Sequence, residues 1–180
     1  MSAPESLIVR EIDSADAAGK LSLGNAEFTP LKTFLRKRAK SFHRSNVAKT
    51  YVLVPMEGAA RIWGYITLMC SQITLDGAHS LDDCESADQY KNLPAIKIVR
   101  IATDQEIQGQ GYGAALVELA ISISLEDIMP KVGCRFLIVD AKRFAVKFYE
   151  KIGFTILDTP KNRAAKQPLM FIDLHKLPSG

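Results

Sequence analysis

The chain has 180 residues, of which 47% are hydrophobic and 24% charged, with 11 Gly and 8 Pro. These are the proportions of one ordinary globular domain, and they exclude collagen-like, coiled-coil and disordered chains. The net charge of +3 names no partner, but it is unevenly spread: residues 28–56 hold seven Lys/Arg and no acid, while residues 62–90 hold five acids and no Lys or Arg.

That asymmetry predicts a polarised surface. At this length folding hides roughly 70% of the surface that the unfolded chain exposes, so the core needs no disulfide or metal staple. Cys70, Cys84 and Cys134 are odd in number, widely spaced and without a CxxC pair. A disulfide framework and a metal site are therefore not expected, and a reducing, cytoplasmic setting is. The first twenty residues hold only the apolar run Leu7-Ile8-Val9 before acids follow, which is not a signal-peptide pattern. No stretch approaches the ~20 apolar residues that span a bilayer, so no membrane association is expected.

Leu31, Phe34, Leu35, Ala39 and Phe42 fall on one side of a helical wheel, and Lys32, Arg36, Lys40 and Arg44 run down the other at a spacing of four. The pattern predicts an amphipathic helix with a basic outer stripe, to which Lys37 adds a further cation. Residues 51–54 and 61–69, rich in aromatic and β-branched side chains, read as strands, with Glu57-Gly58 supplying a turn between them. Residues 71–94 read as an acidic loop with at most one short helix. Residues 96–103 (IKIVRIAT) are a strong strand signal. The alternation changes phase within it, which predicts either a bulge or a central strand buried on both faces.

Beyond a glycine cluster, residues 114–129 read as a largely buried helix stopped by Pro130, and 135–140 as a strand. Ala145, Phe148, Tyr149 and Ile152 recur at helical spacing, and Gly153-Phe154 is a helix stop with a hydrophobic residue beyond it. Strands around 154–157 and 169–174 complete a mixed α/β pattern.

The chemistry gathers at Gln108, Gly109, Gln110, Gly111, Tyr112 and Gly113, between a strand and a helix. Glycines there permit positive φ and remove the Cβ atoms that would hold a ligand off the backbone. The N–H groups of the loop and first helical turn can then converge on an anion, most naturally a phosphate. A Walker loop would end in Gly-Lys-Ser/Thr, whereas Ala114-Ala115 follow Gly113. A dinucleotide fingerprint would space its glycines differently and carry an acid ~20 residues on. A plain glycine-rich turn is the remaining alternative. Asp104 and Glu106 border the loop in capping or turn positions, and no histidine or carboxylate is placed as a general base.

Gln108-x-x-Gly111-x-Gly113 after a strand, followed about 35 residues later by Ala145-x-x-Phe148-Tyr149-x-x-x-Gly153-Phe154, resembles the Gcn5-related N-acetyltransferase (GNAT) family. The resemblance covers roughly residues 50–175. It implies a central, mostly antiparallel sheet with a splayed strand pair, flanked by helices, and a single N-acetyltransferase domain over residues 1–180. It also implies acetyl-CoA as co-substrate. The loop amides would hold its pyrophosphate, Ile101, Ala102 and Thr103 would pair with its pantetheine arm, and Phe148 would lie beside it. Tyr149 matches the family's frequent general acid, which protonates the departing thiolate; the alternative is that Phe148 and Tyr149 only pack the helix on the sheet.

Within the family, Leu21-Ser22, Phe28-x-x-Leu31-x-x-Phe34-Leu35-Arg36-x-Arg38-Ala39, Thr50-Tyr51-Val52-Leu53 and Arg100-Ile101-Ala102-Thr103-Asp104 resemble the acetyltransferase toxins of bacterial toxin–antitoxin modules. That resemblance implies acetylation of the α-amine of aminoacyl-tRNA and neutralisation by a ribbon-helix-helix antitoxin, and homodimers are common among such enzymes. Lys32, Arg36, Lys37, Lys40 and Arg44 would then contact RNA phosphates, or else form an ordinary solvated helix face. An α-amine, with a pKa near 8, is partly neutral without a strong base, as a lysine amine near 10.4 is not. The other readings are an N-acetyltransferase of small amines or protein termini, and a non-catalytic RNA- or partner-binding module on the same fold.

Overall fold

A computed structural model describes residues 6–56 and 61–177 of the chain. The strands are β1 (Leu7–Glu11), β2 (Lys49–Pro55), β3 (Gly64–Ile73), β4 (Leu93–Thr103), β5 (Phe136–Asp140), β6 (Thr155–Ile156) and β7 (Leu169–Asp173). They form one sheet in the order β1-β2-β3-β4-β5-β7-β6, mostly antiparallel, with β4 and β5 parallel. The helices are α1 (Thr29–Phe34), α2 (Lys40–Arg44), α3 (Tyr112–Ser122), α4 (Val146–Lys151) and α5 (Pro160–Ala164), with π-helical turns at Leu35–Ala39 and Ile123–Ile128. The mixed α/β class and the mostly antiparallel, helix-flanked sheet expected from the sequence are present.

The chain divides into two compact units, each assembled from two stretches of sequence. The first comprises residues up to Met69 together with Val99–Leu119, and the second Cys70–Ile98 together with residues from Ala120 onward.

In the first unit β1, β2 and β3 form an antiparallel meander, with Leu7 opposite Pro55 and Thr50 opposite Thr67. The two threonine hydroxyls, fully buried, bond each other at 2.9 Å, so neither is left unpaired in the core. Leu21, Leu35, Val52, Ile62 and Tyr65 form the centre of this core. The basic segment is helical throughout, but its middle turn is π rather than α. At that junction the Tyr65 hydroxyl donates to the Leu31 carbonyl at 2.8 Å, and the Phe34 ring stacks on Tyr65 at 6.5 Å. A side chain that takes a helix carbonyl from outside is a recognised cause of such an insertion. Nearby, the buried Asp16 carboxylate accepts both Arg10 nitrogens, at 2.9 and 2.6 Å, and the Asp13 amide at 2.8 Å. Burial pushes its pKa up, but these bonds outweigh the desolvation and hold it below the ordinary carboxylate range.

In the second unit β5 pairs with β7, and β7 with β6. The core is centred on Ile73, Leu81, Phe136, Ile138, Leu157 and Phe171. The acidic segment is anchored here. Arg135 bonds Asp83 with two nitrogens, at 2.7 and 3.0 Å, and Asp173 at 2.6 and 2.9 Å. His79 reaches Asp173 at 3.1 Å and His175 reaches Asp83 at 2.8 Å. One short 3-10 helix, Glu85–Gln89, interrupts the segment, as the sequence allowed.

Several boundaries differ from expectation. β1 was not anticipated; it is a five-residue strand with no fully buried position, so it lacks the alternation that marks a half-buried strand. β3 starts at Gly64 and continues to Ile73, and β4 starts at Leu93. The helix expected over 114–129 begins at Tyr112 and changes to π geometry at Ile123. α5, capped by the Thr159 hydroxyl and led by Pro160, was also not anticipated. The turn assigned to Glu57-Gly58 lies outside the described residues.

Candidate active site

β4 explains the phase change in its sequence. Ala95, Ile96 and Ile98 are buried, as a central strand requires, and the parallel register with β5 runs from Ala95↔Phe136 to Ile98↔Val139. The strand then continues for five residues, from Val99 to Thr103, with half-buried positions at Ile101, Ala102 and Thr103. The end of the strand is closely backed by β3. A Cβ added at Gly64 would lie 3.1 Å from the Ala102 carbonyl and 2.8 Å from a Leu53 methyl, so the glycine lets the end of β4 approach without displacing its neighbours. Gly64 is thus a site-shaping residue that the sequence marked only as a glycine inside a strand.

After β4, Asp104 caps a 3-10 turn, Gln105–Ile107, by accepting the Glu106 amide. The capping role expected of Asp104 is the one it has, and it also accepts the Ser22 amide and the Arg61 guanidinium. The glycine loop follows. Gly109 and Gly111 have φ of +78° and +88°, and the space a Cβ would enter is open at both. A side chain there would be strained and would stand where a ligand must approach the main chain. The Gly111 carbonyl accepts the Ala115 amide at 3.0 Å, so the loop passes directly into α3. Not every expected contact is free. The Gln110 amide bonds the Ile107 carbonyl, and the Gln110 and Gln108 side chains donate to the Glu106 and Thr103 carbonyls. These three bonds fold the loop on itself, and one of them takes up the Gln110 amide.

Tyr149 lies on α4 in the second unit, 4% exposed, with Phe148 edge-on at 5.0 Å and Phe154 at 5.3 Å. Phe154 is brought there by the glycine stop, where its amide bonds the Tyr149 carbonyl at 3.0 Å. Burial pushes the Tyr149 phenol well above its ordinary value, so the hydroxyl keeps its proton throughout the neutral range. Phe148 is half-buried.

The basic helix separates into two sets. Lys40 turns inward and donates to the Ser14 and Asp16 carbonyls at 2.7 and 2.8 Å, so it holds a loop. Arg36, Lys37 and Arg44 are exposed, as is Arg38, while Lys32 is half-buried. Arg100, exposed on β4, lies over the Phe34 ring of the same helix at 5.4 Å and adds a cation from the sheet.

The family model described as acetyltransferase (GNAT) domain matches residues 52–156. Among solved structures, a tyrosine-to-phenylalanine mutant of KacT is 25% identical, with a TM-score of 0.81 over 95% of this chain and 96% of the other. AtaT complexed with acetyl-methionyl-tRNA is 25% identical, with a TM-score of 0.74 over 94% of this chain and 96% of the other. A mutant AtaT toxin bound to the C-terminus of the antitoxin AtaR is 26% identical, with a TM-score of 0.70 over 94% of both chains.

Proposed function

The chain belongs to the GNAT acetyltransferase family, and on that premise we propose that it moves the acetyl group of acetyl-CoA to the α-amine of an aminoacyl-tRNA, as the toxin of a toxin–antitoxin pair in the cytoplasm. The acetyl-CoA part is carried by one observation, the pair of positive-φ glycines opening on empty space between the end of β4 and the first turn of α3. That cradle fits a pyrophosphate: main-chain donors and the positive end of an eleven-residue helix face an anion. Acetyl-CoA supplies the activated thioester. Residues 101–103 offer extended main chain for its pantetheine arm, and Ile101 and Ala102 keep that surface apolar.

The proton moves from the Tyr149 hydroxyl. The acceptor amine forms its bond to the acetyl carbon, the carbon–sulfur bond breaks, the sulfur leaves with the phenolic proton, and the proton that the nitrogen sheds on becoming an amide passes through solvent and restores the phenol. A phenol raised by burial is a weak acid in water, but a thiolate stripped of water is a correspondingly stronger base. No side chain needs to act as a strong base, because an α-amine with a pKa near 8 is partly neutral already.

The RNA part is supported by Arg36, Lys37, Arg38, Arg44 and Arg100, which face solvent while Lys40 does not. Phosphate contacts of this kind are independent of sequence and weaken steeply with salt. A small ribbon-helix-helix antitoxin is the partner that such an activity requires.

The test is transfer of labelled acetyl from acetyl-CoA to charged tRNA, beside a panel of small amines and peptide N-termini. Transfer to charged tRNA, falling about tenfold or more when Arg36 and Lys37 become Glu, supports the proposal. Transfer to amines or peptides alone makes the chain a metabolite or protein enzyme. Gly111→Glu should abolish acetyl-CoA binding, and unchanged affinity would remove the loop from the reading. RNA binding without transfer would mark a non-catalytic module.

A further inference from the structure

Asp104 carries more than a cap. Its side chain is fully buried and accepts the Ser22 amide at 2.9 Å, the Glu106 amide at 3.1 Å and a nitrogen of Arg61 at 3.1 Å. Its own amide donates to the Trp63 carbonyl at 2.6 Å, and the next amide, of Gln105, donates to the Ser22 carbonyl at 2.8 Å. Ser22 is therefore held from both sides by two consecutive residues. Arg61, 14% exposed, lies over the Trp63 ring at 3.7 Å and also reaches Glu106 at 3.3 Å. Three separated parts of the sequence thus meet on one carboxylate: the segment that leads into the basic helix, the start of the β3 region, and the turn that launches the glycine loop.

The loop is held chiefly at the turn before it. The space beside its two positive-φ glycines is open, the bonds from Gln108 and Gln110 reach only the residues just before them, and Ile107, 1% exposed, roots that turn in the core while its amide bonds the Asp104 carbonyl. A segment with few anchors owes its position to its ends. One end is the first turn of α3, and the other is the turn that Asp104 caps.

We propose that Asp104, held by Arg61, is the positioning residue of the acetyl-CoA loop: it presets the loop for the pyrophosphate and registers it on the segment that carries the basic helix. The inference rests on the acetyl-CoA reading given above. A buried carboxylate with three donors is rigid, and an apolar residue of the same size could not satisfy the Ser22 and Glu106 amides. Preset main-chain donors bind an anion without an ordering cost, so loosening them weakens binding before it slows chemistry.

The experiment measures acetyl-CoA affinity by calorimetry, the thermal midpoint, and KM and kcat separately, on the full chain and two variants. Asp104→Asn keeps the shape but turns an NH2 group toward donors. Arg61→Met removes the guanidinium and leaves both amide bonds in place. The expected result is a Kd and KM for acetyl-CoA raised about tenfold in Asp104→Asn and about threefold in Arg61→Met, with kcat at saturating acetyl-CoA within about twofold of the parent. A purely structural role would lower the thermal midpoint and leave Kd unchanged in the folded fraction, and that outcome overturns the inference. If Asp104→Asn does not fold, Arg61→Met decides by the same criterion. Failure of the parent chain itself to bind acetyl-CoA overturns the functional reading instead, which distinguishes the two failures.

Discussion

At the scale of single residues, the role proposed for Tyr149 turns on its burial. An exposed phenol ionises near pH 10 and shares its proton with water; Tyr149 is 4% exposed and its pKa is raised by burial, so its proton stays in place through the neutral range. Tyr149→Phe should lower kcat about a hundredfold, the lower end of what positioned proton transfer contributes, with the Kd for acetyl-CoA unchanged by calorimetry. An unaltered kcat would confine Tyr149 to packing with Phe148 and Phe154. Tyr149 was singled out by the resemblance of its motif to the acetyltransferase family, and the helical repeat and glycine stop around it placed it on a helix. Gly64, Arg61 and the Ser22 amide were invisible as site-shaping groups, since each meets a partner far along the chain, 38, 43 and 82 positions away from Gly64 to Ala102, Arg61 to Asp104 and Ser22 to Asp104. Separation in sequence hid those contacts.

At the scale of elements, periodicity carried the reading where elements are amphipathic and failed where they are not. β2, β4, β5, α3 and α4 stand where the pattern put them, apart from their ends. β1 and α5 did not register: one is a half-buried five-residue strand, the other a five-residue helix set by its cap and proline. The π-turn at Leu35–Ala39 explains why the basic stripe is not uniform. A spacing of four keeps Lys32, Arg36, Lys40 and Arg44 on one side of an α-helix, but a turn with i→i+5 bonding changes the phase, and Lys40 swings onto the Ser14 and Asp16 carbonyls. Tyr65 holds that turn through the Leu31 carbonyl. Tyr65→Phe should cost about 1 kcal/mol of stability, measured by urea unfolding, and should weaken binding of charged tRNA more than binding of acetyl-CoA. Equal affinities for both ligands would show that the hydroxyl serves stability alone.

At the scale of the whole molecule, charge and burial set a pH window. Tyr65 and Tyr149 are both raised by burial, so above about pH 10 the unfolded chain loses phenolic protons that the folded chain retains. The unfolded state then binds fewer protons, and stability falls as pH rises through that range. Asp16 and Asp173 act at the other end. Burial pushes each up, but Arg10 and the Asp13 amide for one, and Arg135 and His79 for the other, outweigh it. Their stabilisation is complete above the unfolded value of ~3.9 and is lost as pH falls below it. Thermal midpoints should therefore form a plateau between about pH 5 and pH 9 that drops on both sides; Asp173→Asn, paired with loss of the acid shoulder, would identify the Arg135 cluster as its source. The uneven charge read from the sequence has the same origin: the acidic segment is tied down through Asp83 and Arg135, and the basic one faces water. Trp63 draws these scales together. It is the sole tryptophan, 2% exposed, with the Arg61 guanidinium 3.7 Å above its ring centroid. The molecule therefore carries its own optical gauge, since indole emission reports from one place and that place is the cation joined to Asp104. If the loop takes acetyl-CoA as proposed, titration with it is expected to change the intrinsic fluorescence, with no dye attached and no residue replaced; unchanged emission would show that Trp63 does not sense the loop.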